Sequence, residues 1–370
     1  MRIERIELRH VKLVLVAPFV TSMGVETNEE HIIVRVDGEG LTGWGESVAE
    51  GTPFYSYETV QTAWHILRDF LVPSVLGKSV VDVSGAMALW PPVRGHMMAK
   101  AGLEAALWDL MAKARRVSLS AALGGIRQRI DVGVSIGIQG SPETLVAKVA
   151  GYLGEGYRRI KIKIAPGHDI ALVRAVRSAF PDIPFQVDAN SAFTLDDIDL
   201  FRQMDDQRLL LIEQPLGYDD IFDHAKLQRE LKTPICLDES IHSLADANAA
   251  LELDACRVIN IKPGRVSGFT ESKRIHDLCM SRGIPVWHGG MLESGIGRAG
   301  NVALASLPGF TLPGDISASK RYYREDIVDP EFVVAKDGTM AVPTGPGIGV
   351  EVLSERLERV TVRRVEFKGR

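Results

Sequence analysis

The sequence predicts an α/β protein, a (β/α) barrel preceded by a smaller α+β domain, and three observations carry the prediction. The chain has 370 residues, too many for one ordinary domain and enough for a barrel of about 250 residues with a second domain. From Lys163 onward, short apolar runs end in a charged residue at a nearly constant interval: Lys163, Asp188, Glu213, Asp238 and Lys262, separated by 25, 25, 25 and 24 residues. A strand, a helix and two loops take about that much chain, and functional residues at the carboxyl ends of successive parallel strands mark a barrel. Ahead of this period, strand-like segments come first and helical segments after, the order of an α+β domain.

Taken in order, residues 1–16 alternate (Ile3, Ile6, Leu8, Val11, Leu13, Leu15) and read as a strand. Residues 17–28 read as a loop holding Phe19, Met23 and Gly24, and 30–36 with 41–49 as a hairpin turning at Asp37-Gly38. A helical region opens at 53–58, and 57–71, 80–89 and 96–114 carry apolar residues at helical spacing, with Ala101, Ala105 and Ala106 on a closely packed face. The first domain is expected over 1–125, ending near Gly124-Gly125, and the barrel over 126–325. Its first strand is placed at 131–135, its seventh at 284–288 and its eighth at 311–316, with helices between strands at 142–155, 169–179, 195–203, 221–231, 244–251 and 270–282. The helix after the eighth strand is weak. Residues 359–367 alternate again, so 326–370 is expected to return to the first domain.

Composition bounds the function. Apolar residues at 45% with charged residues at 25% describe a soluble globular chain with a sizeable core. A net charge of −5 gives no reason to expect nucleic acid or an anionic membrane as partner. No window reaches the ~18 apolar residues of a membrane span, and Met1-Arg2-Ile3-Glu4-Arg5 opens on charge with no signal-peptide core after it. Cys236, Cys256 and Cys279 are dispersed without metal-ligand spacing, which points to free thiols in a reducing, cytoplasmic setting.

The chemistry centres on the run from Arg159 to Ala165, in which charged and β-branched residues alternate. Period-2 alternation puts Lys161 and Lys163 on one strand face and the isoleucines on the other. An exposed edge strand would look similar. If the lysines are instead confined together, the neighbouring charge makes Lys163 easier to deprotonate, as a lysine base requires. In an eight-stranded barrel the second and sixth strands are opposed, so Lys163 and Lys262 face each other across the mouth with Asp188, Glu213 and Asp238 between them. Taken singly, each acid reads as a surface loop residue, and Lys262 before Pro263-Gly264 as a turn lysine; their joint spacing favours a site. Three converging carboxylates do not all stay ionised without a cation, and an all-oxygen set favours Mg²⁺, or Mn²⁺. Such a site suits removal of the proton α to a carboxylate, because the enediolate's added charge needs a Lewis acid. Two lysines on opposite faces would make a racemase or epimerase. One lysine that removes the α-proton and then protonates a departing β-hydroxyl would make a syn dehydratase.

The motifs Lys161-Ile162-Lys163, Val187-Asp188-Ala189-Asn190, Ile212-Glu213-Gln214-Pro215, Leu237-Asp238-Glu239-Ser240 and Asn260-Ile261-Lys262 go further. Together they resemble the enolase superfamily, in its muconate lactonizing subgroup, and within it the o-succinylbenzoate synthase and N-succinylamino acid (N-acylamino acid) racemase family. Lysine or histidine bases with Mg²⁺ are the known pattern of enolase-superfamily sites. The resemblance implies a (β/α)7β TIM-type barrel under an α+β capping domain. It also implies Mg²⁺ held by Asp188, Glu213 and Asp238, and catalysis by Lys163 and Lys262 with Lys161 beside them. Ser135 and Asn190 are implied as substrate contacts, and Phe19, Met23 and Tyr55 as parts of two capping loops, with Gly24 a hinge. Gly290 and Met291 belong to the seventh-strand loop, Gly289 to Ser294, where small residues let backbone approach a ligand. His288 reads as a core histidine, and Arg265 and Glu239 as supporting residues, Arg265 tuning the lysine by its charge. At the eighth strand, Asp315-Ile316-Ser317 retains only the first acid of the Asp-x-Asp that dipeptide epimerases use for an ammonium group, so a neutral N-acyl group suits Asp315 and Ser317 better.

The implied function is racemisation of N-succinylamino acids, dehydration to o-succinylbenzoate in menaquinone synthesis, or both, on a small carboxylate substrate and in a homo-oligomer. Muconate cycloisomerase and dipeptide epimerase are the alternatives within the subgroup. A zinc-dependent barrel hydrolase would need clustered histidines, and no His-x-His is present. A binding protein that merely kept the fold would have no need of all five charged positions.

Overall fold

The computed structural model describes residues 1–369. The capping domain is built on an antiparallel sheet of Arg5–Thr21, Gly24–Gly38 and Leu41–Ser47, with Thr361–Lys368 added at the free edge of the first strand. The returning strand runs antiparallel to the first, Arg5 opposite Lys368. The expected loop at 17–28 is instead the far end of the first hairpin: Phe19 opposes Glu26, Val20 opposes Val25 and Thr21 opposes Gly24, beyond a register shift after Val14. Ala17-Pro18 interrupts the alternation that would have announced it, and cross-strand pairing supplies the order instead. The second hairpin turns at Glu39-Gly40, with φ 49° and 77°, and not at Asp37-Gly38. Two left-handed residues are what a two-residue turn with the twist of its strands requires.

The expected helix at 53–58 begins only at Val60, where Thr59 and Thr62 form a capping box. The small-residue face of Met97–Ala114 packs on the third strand. There the approach is so close that a Cβ on Gly45 would lie 2.2 Å from the Gly102 carbonyl oxygen.

Seven parallel strands follow in sequential order: Gly133–Ile136, Arg159–Lys163, Phe185–Asp188, Ile212–Glu213, Ile235–Leu237, Val258–Ile261 and Val286–His288. The eighth position is not a regular strand. Single bridges from Val132 to Gly314 and from Val286 to Phe310 occupy the gap, with the Asp315 amide donating to the His288 carbonyl. Pro313 has no amide hydrogen to extend that ladder. Some of the helices between the strands start at side-chain caps, such as Ser141 before Pro142–Glu155, which Gly156 ends at φ 113°.

The second strand is buried on both faces. Ile160 and Ile162 pack outward in the core, while Arg159, Lys161 and Lys163 alternate with them and point inward. Below the lysines, Leu211, Cys236, Val258 and Trp287 form an apolar floor. The Trp287 ring lies 5.2 Å from the Arg159 guanidinium and 4.9 Å from the Lys161 ammonium. All three cysteines are free and buried.

Two carboxylates of the capping domain fasten it to the barrel by capping barrel helices. Glu46 accepts from the Ser294 and Gly297 amides at 3.0 and 2.8 Å, at the start of Gly295–Ala305, and pairs with His31 at 2.7 Å. Glu104 accepts from the Phe269 and Thr270 amides at 2.6 and 2.8 Å, at the start of Phe269–Ser281. Among the described residues no helix is long and apolar enough to cross a membrane.

Candidate active site

The carboxyl ends of barrel strands two to six carry the charged residues of the sequence period. Lys163 Nζ lies 2.7 Å from Asp188 Oδ2 and 2.6 Å from Asn190 Oδ1. Lys161 Nζ lies 2.9 Å from Asp188, 2.8 Å from Glu213 and 2.5 Å from Asp315. On the sixth strand, Lys262 Nζ lies 2.8 Å from Asp238 Oδ2 and 3.0 Å from the Tyr55 hydroxyl, which itself donates to Asp238 Oδ1 at 3.0 Å. Arg265 donates to Asp238 and to the Ile241 carbonyl. Glu239 accepts from Asn190 at 2.8 Å, which links the two flanks.

Electrostatics follow from these pairings. Burial opposes the charge on Asp188 and on Asp238. Even so, Lys161 and Lys163 hold the first, and Lys262 and Arg265 the second, well below the usual carboxylate range. Glu213 goes the other way: burial, then the charge of Asp188, drives it well above its ordinary value despite Lys161. Burial, then Asp238 and Asp188, pushes Glu239 up to about 7. Burial lowers Lys262, but Asp238 and then Tyr55 outweigh it and hold this lysine well above its ordinary value, with Arg265 opposing them. Asp238 thus keeps Lys262 a cation, while Arg265 acts on it in the direction expected. Lys161 is likewise lowered by burial but raised on balance by Asp188, Asp315 and Glu213, and so stays a cation.

Among the described residues, no group of three or more acidic, histidine or cysteine side chains forms a ready metal cage. Ammonium groups bridge and pair with the three carboxylates, and the donor set fits a hard divalent cation. It is buried and all-oxygen, Lys161 spans Asp188 and Glu213, and Asn260 donates to Glu213 at 2.7 Å and to Asp238 at 3.1 Å. The raised Glu213 is what crowded carboxylates without a divalent partner produce.

A cavity opens over these groups. Lys161, Lys163 and Lys262 line it with Ser135, Asn190, Gly290, Met291 and Asp315, and Phe19, Met23 and Tyr55 close it from the capping domain. Ser317 is not among the lining residues and is 1% exposed, with its carbonyl accepting from Arg298. Asp315 is engaged by Arg159 at 2.6 Å and by Lys161, so it does not stand free for a substrate ammonium. The seventh-strand glycines serve the protein itself: a Cβ on Gly289 would meet Asn260 Oδ1 at 2.2 Å and Lys262 Cε at 2.6 Å, and one on Gly290 would meet the Asp315 carbonyl oxygen at 2.4 Å. His288 is fully buried, and burial depresses it to about 3, in keeping with a core histidine.

Sequence reading missed Thr21, Glu26, Glu50 and Tyr322, which line the cavity, and held Asn260 and Leu292 within motifs without giving either a role. The period-2 relation of Asn260 to Lys262 could have placed it in the site.

Residues 5–124 match the mandelate racemase/muconate lactonizing enzyme N-terminal domain, and residues 144–356 the family described as Enolase C-terminal domain-like. The chain is 52% identical over 360 residues to an o-succinylbenzoate synthase of Geobacillus kaustophilus, covering 97% of this chain and 96% of the relative. It is 51% identical over 362 residues to an N-succinylamino acid racemase of Thermus thermophilus, covering 98% of each. The solved structure of an enolase-superfamily member from Listeria innocua matches with a TM-score of 0.96 at 42% identity, over 100% of this chain and 99% of that one. Barrel, cap and these matches agree: the chain belongs to the o-succinylbenzoate synthase and N-succinylamino acid racemase family of the enolase superfamily.

Proposed function

We propose that the protein removes the proton α to the carboxylate of N-succinylamino acids and racemises them, and that the same cavity also forms o-succinylbenzoate by syn dehydration. The observation that carries this reading is that Lys163, on the second barrel strand, and Lys262, on the sixth, line one cavity. Both reactions share a succinyl arm and an enediolate, so one cavity serves either.

In racemisation, one lysine in its neutral form takes the α-proton and the other, as an ammonium, returns a proton to the opposite face. In dehydration, one lysine removes the α-proton and protonates the leaving hydroxyl, while the other stays charged beside the enediolate. Lys161, pinned by three carboxylates, remains a fixed cation under the reacting carbon. Tyr55, bonded to both Asp238 and Lys262, orients that lysine and helps to exclude water from its flank.

Enzymes of this superfamily use a divalent metal. Asp188, Glu213 and Asp238 would hold it here, as Mg²⁺ or Mn²⁺, and when bound it stabilises the negative charge that develops on the substrate carboxylate. In D₂O with Mg²⁺, nuclear magnetic resonance should show deuterium entering Cα of an N-succinylamino acid; chelation should stop the exchange and added Mg²⁺ restore it. Absence of exchange with every N-succinylamino acid tried would overturn the reading.

A further inference from the structure

The substrate cavity carries negative charge for which the proposed reaction has no use. Phe19 and Glu26 are directly opposed in the antiparallel hairpin, so their side chains leave the same face. Both line the cavity, as does Glu50, which follows the third capping strand. Neither carboxylate makes a hydrogen bond or ion pair among the described residues. Glu26 and Glu50 also line a second cavity, walled further by Glu29 and Glu30, so the two cavities adjoin at this pair of acids. Glu29 is 3% exposed, and its Oε1 has no hydrogen-bond partner. Its other oxygen lies 3.9 Å from His31 Nε2, which is unpartnered too.

Carboxylates confined in this way resist ionising together. Burial, then Glu26, pushes Glu50 up to about 8, with Lys262 and Lys163 pulling the other way. Burial, then Glu26 and Glu50, raises Glu29. A cation arriving at this wall would relieve the repulsion, and the wall is within the reach of a substrate held at the lysines, since the same cavity touches both.

We propose that Glu26 and Glu50 select substrates whose side chain ends in a cation, an ammonium or guanidinium group seated against the two carboxylates with Glu29 behind them. The proposal rests on the reading of this site as one that acts on N-succinylamino acids. The alkyl stem of a lysine- or arginine-like side chain would lie along Phe19, with its charged head at Glu26 and Glu50. An apolar side chain would leave the carboxylates without a partner, and an acidic one would be repelled. If the two acids instead acted on Lys163 and Lys262, their loss would change turnover of all substrates alike.

The test compares kcat/KM for α-proton exchange with Nα-succinyl-lysine and Nα-succinyl-arginine against N-succinyl-methionine, in the protein and in Glu26→Gln, Glu50→Gln and the double variant. The basic substrates should be preferred, and the basic-to-methionine ratio should fall about tenfold per carboxylate, the factor that ~1.4 kcal/mol of lost pairing gives. Glu50→Lys should raise the relative rate with N-succinyl-glutamate, a gain that misfolding does not produce. Exchange with methionine but an unchanged ratio in all variants would overturn this inference alone. No exchange with any of these substrates would overturn the underlying reading and this inference with it.

Discussion

Lys163 and Lys262 sit at the same level of the barrel with different company: Lys163 bonds Asp188 and Asn190, and Lys262 bonds Asp238 and Tyr55. A two-base mechanism needs both, so Lys163→Ala and Lys262→Ala should each lower racemisation by about a thousandfold, followed by polarimetry, as loss of a positioned proton-transfer group does. Full activity in either variant would end the two-base assignment. These residues were legible because a strand's period is two and a barrel's repeat is about 25, so charge type and spacing alone place them. Glu26 and Glu50 were not legible. Their place in the cavity comes from tertiary structure, Glu26 opposite Phe19 across a hairpin and Glu50 just beyond the third capping strand, and single acids in polar stretches carry no such signature.

At the level of elements, the parallel strands could be read from their apolar runs, whereas the eighth position and the first hairpin's end could not. In both places a proline interrupts the pattern, Pro313 in one and Pro18 in the other. The seventh-strand loop shows how tightly such segments are specified. Because a Cβ on Gly289 would press on Lys262 and Asn260, Gly289→Ala should cut kcat about a hundredfold, since misplacement by ~1 Å costs that much. Circular dichroism should remain that of the folded protein; unchanged kcat would show that Lys262 tolerates the crowding. The loop after the fourth strand is pinned by His224, whose Nε2 accepts from the Leu216 amide at 3.1 Å while Nδ1 meets the Asp220 carbonyl at 2.7 Å. Burial lowers this histidine to about 4, so the unfolded chain binds its proton first as pH falls. The stability it contributes is complete above about pH 6.5 and is lost on the way down to about 4. Urea unfolding at pH 5 should show stability on the order of 2 kcal/mol below that at pH 7 from this group, and His224→Gln should flatten the dependence.

On the scale of the whole molecule, cap and barrel are joined by polar fastenings as well as by packing. Glu104 is completely buried and satisfies two helix-terminal amides across the domain boundary. Glu104→Ala should therefore cost about 1 to 3 kcal/mol in urea unfolding, the penalty of leaving buried donors unpaired. A change within error would show that packing alone holds the cap. The return of 359–367 to the first domain was legible from alternation, because an isolated amphipathic strand needs a sheet; the fastenings were not, since one glutamate among 48 acidic residues announces nothing. Thr361–Lys368 lies beside Arg5–Thr21 although every barrel strand comes between them along the chain. A ribosome therefore finishes the whole barrel, and the hairpin that carries Phe19 and Glu26, before it releases the strand that completes the capping sheet beside Arg5–Val11. Nascent protein passes through a stage with every cavity residue made and the outer edge of the first strand still unpaired.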